Sequence, residues 1–276
     1  MALRRFRKNP MAVVGAILLT IIVTLVALAP WISPYDPNAI NLQAIRTPPS
    51  SEHWLGTDST GRDVLSRLLA GGRVSLTVGF LSAFFAVMIG TIAGVTAGWF
   101  GGVIDAVISR VIDIMLTVPP ILVVIVLAGI FGPDVRLLVA VIAGLAWPSS
   151  ARIARGVVLS LREEEFVQAS RAIGSRNGYI VVKHLIPGVL PPVIVAATLL
   201  VSEAVLLESA LSFLGAGVQP PQASWGNTLT EAQSLTVLSS MPWMWIPAGL
   251  MIALTVLSAM AVGDGVRDAI DPRKNR

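Results

Sequence analysis

Residues 74–99 read VSLTVGFLSAFFAVMIGTIAGVTAGW, with no charged side chain between Val74 and Trp99. A run of this length and apolarity can cross a bilayer as one helix. Within it Gly90, Gly94 and Gly98 recur every four residues, with Gly79, Ala83 and Ala86 N-terminal to them. One helix face is thereby stripped of side chains. In lipid, where apolar burial no longer drives association, such a face lets a neighbouring backbone approach and pack.

The same pattern recurs on both sides. Arg4, Arg5, Arg7 and Lys8 precede an uncharged run from Met11 to Ile32, about 30 Å as a helix and matched to the hydrocarbon thickness. Ala27-Leu28-Ala29 has the small-x-small form of a signal-peptide cleavage site. The apolar run exceeds the usual core of such a peptide, however, and Pro30 directly after the site is a poor residue for cleavage. Further spans are expected at 107–131, at 137 to about 150 with helix continuing beyond the bilayer, at 192–214 and at 246–262. Pro119-Pro120, Pro148 and Pro247 interrupt these spans, and proline inside a membrane helix marks a kink whose freed carbonyls find partners on neighbouring helices. The expected fold is an all-α integral membrane protein with six transmembrane helices.

Composition agrees. The chain of 276 residues is 54% hydrophobic and 13% charged, against roughly 25% charged in an average soluble domain. A soluble chain of this length could not hide several separate uncharged stretches, each about long enough to cross a bilayer. The net charge of +4 does not point to nucleic acid, because the basic residues sit in short loops beside apolar spans and follow the positive-inside bias. Lys and Arg number 15 on the side holding both termini, Arg110 and the segment Arg152 to Lys183. They number 5 on the other, at Arg46, Arg62, Arg67, Arg73 and Arg136. Both termini and 152–183 are therefore expected in the cytoplasm, with 33–73, a folded extramembrane loop, and 216–242 outside. No cysteine occurs and histidine occurs twice, at His53 and His184, which excludes disulfides, thiol nucleophiles and zinc or nickel sites at metal spacing.

Between the fourth and fifth spans, residues 160–187 read SLREEEFVQASRAIGSRNGYIVVKHLIP, far more than a plain reconnection needs. Ser160-Leu161-Arg162-Glu163 has the form of a capping box, with Glu164 and Glu165 adding negative charge at the start of a helix. Phe166, Ala169, Ser170 and Ile173 then share one face of small and apolar residues. Gly174 can take the left-handed conformation that ends the helix, and Ser175 can cap a second short helix running to Pro187. A helix, a glycine turn and a helix make a knob of little bulk. From spacing alone, a knob for a partner's groove and a hairpin lying on lipid remain equally open.

This loop resembles the cytoplasmic coupling loop of bacterial ABC-importer permeases, of form E-A-A-x3-G-x9-I-x-L-P. The chain has Gln168-Ala169-Ser170, then Gly174, then His184, and Ile186-Pro187. Gly174, Pro187 and the middle Ala169 match; Gln168, Ser170, His184 and Ile186 depart, which leaves no role for a glutamate charge at 168. Further stretches resemble the C-type permease of the dipeptide, oligopeptide and nickel branch: His53-Trp54-Leu55-Gly56-Thr57-Asp58 through Gly61-Arg62-Asp63, Glu208 to Gly215, Gln219-Pro220-Pro221 with Ser224-Trp225-Gly226, and Asp264 to Asp268. The resemblance implies a type I ABC-importer permease with cytoplasmic coupling helices in the cell membrane. It implies these partners: a second permease, two ATP-binding subunits or a fused pair, and an external substrate-binding protein. It further implies that Gln168, Ala169, Ser170, Gly174 and Pro187 form the docking segment, and that peptides are the commonest cargo, with nickel or another small solute as the alternative. The organisation expected is an N-terminal module at 1–73, a permease domain at 74–264 with its coupling loop at 160–187, and a cytoplasmic tail at 265–276.

Glu203 and Glu208 lie inside the fifth span, about 140° apart around a helix, and do not share a face. Intramembrane carboxylates face a cavity or a partner, so each is a candidate for the translocation path or for an interhelical hydrogen bond. Arg110 and Asp113, one turn apart, are expected to pair. No Gly-x-x-x-x-Gly-Lys-[Ser/Thr] loop occurs, so the chain is expected to use no cofactor and to hydrolyse no ATP itself. A stand-alone secondary transporter or channel is the competing class. It would show an internal repeat and buried ion-coupling groups, and no repeat is evident.

Overall fold

A computed structural model describes residues 5–270. Among them the chain is helical, without strands beyond an isolated bridge between Thr57 and Asp63. Helix α1 spans Pro10–Ala27. It starts where Asn9 accepts the Ala12 N–H and Pro10 presets the first turn, and after Leu28 one further turn, Ala29–Ile32, follows.

Helix α2 spans Val64–Phe100, ten residues earlier than expected. The sequence places Arg67 and Arg73 in a loop because they are charged, yet Asp63 caps a helix there. One Asp63 oxygen accepts from the Ser66 N–H and hydroxyl, both at 2.8 Å, and the other meets His53 Nδ1 at 2.9 Å. The helix thus protrudes beyond its apolar window. Gly101, with φ +64°, ends it.

The third span is not one helix. Helix α3, Gly102–Thr117, and helix α4, Pro120–Phe131, meet at an angle of 82° around Val118 and Pro119. Neither Pro119 nor Pro120 can donate a backbone N–H, so the α-helical ladder cannot pass through. Helix α5 spans Val135–Leu161 with Pro148 inside, and it begins where Asp134 accepts from the N–H groups of Arg136 (2.6 Å) and Leu137 (3.3 Å). After helix α6 (Glu165–Ala172) and the single turn α7 (Asn177–Ile180), a π-helical turn at Val181–Leu185 leads without interruption into helix α8, Ile186–Phe213. Short helices α9 (Trp225–Leu229) and α10 (Leu235–Ser240) precede helix α11, Ile246–Ile270. Residues 265–270, expected as tail, are therefore the last turns of α11. Arg4 and the basic tail residues beyond Ile270 lie outside the described residues. Five helical segments are long and apolar enough to cross a bilayer, and the α3–α4 pair makes a sixth when taken as one broken span.

The glycine stripe of α2 explains its partners. A Cβ at Gly90 would stand 2.5 Å from the Trp147 carbonyl oxygen and 2.6 Å from Ser150 Cβ, and one at Gly98 would stand 2.9 Å from Val158. At Gly94 it would collide with the Ala151 carbonyl oxygen and lie 2.8 Å from Ala154 Cβ. The lower half of α2 is thus in backbone contact with α5. Its upper half meets α8, with Gly79 against Val205, and Ala83 and Ala86 against Leu200 and Val201. Helix α1 joins by the same device: a Cβ at Gly15 would meet Ala261 and the Ser258 carbonyl of α11. Where apolar burial supplies no net drive, such close approach supplies the dispersion contacts that hold helices together.

The segment before α2 is a folded unit, as expected. Thr57 N–H donates to Thr47 O at 2.9 Å and Thr47 N–H to Thr57 Oγ1 at 2.8 Å. Asp58, 3% exposed, accepts from the N–H groups of Thr60 (2.8 Å) and Arg62 (3.0 Å), the Thr60 hydroxyl and Arg62 Nε (2.7 Å). Burial, the largest single influence, pushes its pKa up; the Arg62 and Thr60 N–H groups, the Thr60 hydroxyl and the Arg62 charge together outweigh it and hold it below the ordinary 3.8. Ser59 Oγ donates to Glu231 at 2.7 Å, tying this unit to the loop between α8 and α11.

Candidate functional site

The loop between α5 and α8 packs at one end of the helices. Helix α5 runs through Leu161, and the Ser160 hydroxyl turns back to the Gly156 carbonyl at 3.4 Å instead of capping a new helix. The capping box expected at Ser160 to Glu163 is therefore not formed. Helix α6 starts after Glu164, whose backbone is extended, with Glu165 in the first turn and Arg171 in the last, each favourable to the helix dipole.

Two residues aim α6. Val167 is fully buried among Val95, Trp99, Val158, Ile180, Leu185 and Val189, so the helix rests on the inner ends of α2, α5 and α8 together. The Arg171 guanidinium lies 4.1 Å from the centre of the Trp99 ring, a cation–π contact. The opposite face is open. Phe166 (48%) and Ile173 (83%) are exposed, as are Gln168 and Ala169. Of the face expected from spacing, Ser170 alone turns inward. Its carbonyl accepts the Ser175 N–H at 3.1 Å while the Arg171 carbonyl accepts the Gly174 N–H at 2.9 Å. That pair of bonds, with Gly174 at φ +80°, is the Schellman ending for which glycine is the favoured residue. Gln168 Nε2 donates to the Glu163 carbonyl at 3.3 Å, so an amide serves where the loop's pattern has a carboxylate.

Beyond the turn, two expectations are corrected. Ser175 caps nothing, since the N-cap position of α7 is Arg176 without a side-chain bond. Pro187 does not end a second helix; the helical segment passes through it into α8, directly after the π-helical turn at Val181–Leu185. Residues Asn177 to Phe213 thus form one continuous helical segment. Val167 and Trp99 escaped the sequence reading, although Val167 and Ser170 at i, i+3 are the spacing of a buried seam.

At the inner ends of α3 and α5, Arg155 meets both oxygens of Asp105 at 2.5 and 2.6 Å, and Arg152 meets Asp113 at 2.9 Å. Asp113 pairs across helices, not with Arg110, because α5 lies alongside α3.

The two carboxylates of α8 have different surroundings. Glu208 is fully buried and accepts from Ser75 Oγ of α2 and Ser212 Oγ, both at 2.7 Å. Ser75 Oγ in turn accepts the Trp225 N–H at 3.2 Å, and Ser212 Oγ accepts the Val218 N–H at 3.0 Å. Trp225, fully buried, donates Nε1–H to the Leu68 carbonyl at 2.9 Å. Glu208 is thus the hub fastening segment 218–229 to α2 and α8 through Ser75 and Ser212. The serines at 75 and 212 carried no signal in sequence. Glu203, by contrast, is exposed on α8 and lines a cavity of about 160 Å³ bounded by α2, α5, α8 and the α3–α4 break. His53 is committed to Asp63 and stacks near Tyr35, with ring centres 4.8 Å apart. No group of three or more metal-ligating side chains occurs among the described residues.

Residues 86–276 match the model of the binding-protein-dependent transport system inner membrane component, and residues 1–49 match the N-terminal transmembrane domain of oligopeptide transport permease C. The chain belongs to the binding-protein-dependent permease family. Its relatives match end to end. A Brucella suis protein named as a peptide permease is 44% identical over 98% of this chain and 89% of its own length. The dipeptide transport system permease DppC of Alkalihalophilus pseudofirmus is 40% identical over 99% and 89%. The oligopeptide transport system permease OppC of Bacillus subtilis is 38% identical over 99% and 88%. Among solved structures, a chain of the MetNI methionine ABC transporter in an inward-facing conformation superposes with a TM-score of 0.58 at 21% identity, covering 74% of this chain and 97% of that one. The fold is therefore that of a type I ABC-importer permease. In this family the permease subunit moves no phosphate; ATP hydrolysis is the work of partner subunits.

Proposed function

We propose that this permease imports peptides, forming half of a translocation path with a second permease and receiving the ATPase stroke through α6 and the Gly174 turn. The observation that carries the coupling role is the two-sidedness of α6. Val167 and Arg171 fix it to the inner ends of α2, α5 and α8, while Phe166, Ala169, Gln168 and Ile173 remain uncovered. An apolar face held rigidly on three membrane helices suits a partner's groove, and through Pro187 any displacement of the loop passes directly into α8.

Peptide cargo rests on the relatives' names and on the match of 1–49 to an oligopeptide permease segment. The partners follow from the family: a second permease, two ATP-binding subunits or a fused pair, and an extracytoplasmic binding protein. We place both termini and the α5–α8 loop in the cytoplasm from the charge asymmetry, and we retain 1–73 as an N-terminal module preceding the permease domain at 74–264. The deciding experiment is co-purification of the assembled complex, identification of the ligand held by its binding protein, and uptake of that ligand. A peptide is expected; nickel or a free sugar would overturn the cargo while leaving the family intact.

A further inference from the structure

The cavity at Glu203 is lined by apolar side chains and three polar ones, Glu203, Ser82 and Ser149. Glu203 lies ten residues before the end of α8 at Phe213, about 15 Å along the helix and so near the middle of a bilayer about 30 Å thick. Its neighbours on the exposed stripe of α8, Leu199 and Leu206, are apolar. A carboxylate there could face lipid only at a cost of several kcal/mol, so this stripe turns toward a water-filled path or a protein surface. None of the described residues hydrogen-bonds to Glu203.

The opposite wall is the break between α3 and α4. Leu116 and Pro120 both line the cavity. The Leu116 carbonyl would accept from residue 120 in an unbroken helix, and Pro120 has no N–H to give. Helix α3, of 16 residues, ends here at Thr117, so the negative end of its dipole lies at the cavity as well. Ser82 and Ser149 add hydroxyls. Glu203 and the two hydroxyls are the polar side chains of a lining that is otherwise apolar and holds no basic side chain, and the C-terminus of α3 lies at its edge. Broken membrane helices present cations with the same chemistry.

We propose that this cavity is a cation subsite on the translocation path, in which Glu203 holds the ammonium group of a passing substrate. The assignment rests on the permease reading above and adds a specificity to it. A primary ammonium has three donors; the Glu203 carboxylate is the charged acceptor in the lining, and the hydroxyls of Ser82 and Ser149 are its neutral ones.

The test uses the assembled complex in membranes and the absence of cysteine in this chain. Ser149→Cys places a thiol on the cavity wall. Its reaction rates with a cationic and with an anionic methanethiosulfonate reagent are compared, with Glu203 present and with Glu203→Gln. The cationic reagent is expected to react faster, and Glu203→Gln is expected to lower the cationic-to-anionic ratio by at least about threefold, the effect of one charge at short range even when well solvated. A ratio that does not change with Glu203→Gln overturns the subsite, as does a thiol that reacts with neither reagent. In parallel, maximal uptake at saturating binding protein is measured for two peptides differing only by lysine against norleucine. Loss of the lysine preference in Glu203→Gln supports the assignment, and an equal fall for both peptides, with reduced recovery of the second permease, shows Glu203 to be a subunit contact instead. If the wild-type complex carries no peptide at all, the cargo reading has failed, and the thiol ratio still reports on the cavity by itself.

Discussion

Gly94→Ala isolates the contact that holds α2 to α5. The added methyl would collide with the Ala151 carbonyl oxygen and stand 2.8 Å from Ala154 Cβ and 2.9 Å from the Arg155 nitrogen. Two of these three atoms are backbone, so the neighbour cannot yield by rotating a side chain; the helices must move apart. Overpacking of this kind costs about 1–3 kcal/mol. Alanine also favours the helix over glycine by roughly 0.5–1 kcal/mol. Gly156 on α5 supplies the control, since a Cβ there meets nothing within 4 Å. The propensity gain is common to both variants, so their difference is the steric cost alone, about 1–3 kcal/mol. Reversible unfolding of the purified chain in mixed detergent micelles measures it. Gly94→Ala is expected to be the less stable by that amount, and equal stabilities would refute the account of the glycine stripe.

Glu208→Ala leaves the Ser75 and Ser212 hydroxyls without their acceptor and should cost about 1–3 kcal/mol; Glu208→Gln, which keeps an acceptor oxygen, should recover part of it in the same unfolding assay. Asp58 has its folded pKa depressed, so its contribution is present above the ordinary carboxylate value of 3.8 and is lost as pH falls below it. Asp58→Asn should therefore destabilise the external unit at neutral pH and flatten the acid limb of its unfolding, read as limited proteolysis of 33–63 between pH 7 and pH 3. A cysteine at Ser175 should resist an impermeant thiol reagent applied to intact cells and react after permeabilisation; labelling from outside would reverse the topology.

Much of the fold was legible because lipid imposes a simple rule: uncharged runs become helices, and small residues mark where helices touch. Gly90, Gly94 and Gly98 named a packing face before any partner was known, and Gly174 named a turn. Where charge and helix coincide, the rule misleads. Arg67 and Arg73 were assigned to a loop, yet they sit on the first turns of α2, held outside the apolar window by the Asp63 cap. Ser160 resembled a cap because its neighbours fit the pattern, but α5 had not yet ended. Ser212 stands one turn from Glu208, but the rest of the hub could not be read, since Ser75, and Trp225 behind it, are distant in sequence and join only through the tertiary fold. Within the coupling loop, spacing identified the exposed residues Phe166, Ala169 and Ile173, whereas the anchors Val167 and Trp99 required the structure.

The central claim is that α6 and its glycine turn dock on the ATPase. Ala169 is exposed, so Ala169→Leu adds volume where this chain has free space, and Gly174→Val adds a side chain at an exposed position where a Cβ meets nothing within 4 Å, with strain of about 1–2 kcal/mol from the left-handed turn. Neither variant should alter the abundance of the chain in the membrane. The measurement is recovery of the ATPase subunits on the purified permease, with substrate uptake, for each variant at matched abundance. Reduced ATPase recovery and reduced uptake are the expected result for both; normal values of the two quantities in both variants would contradict the coupling role of this loop.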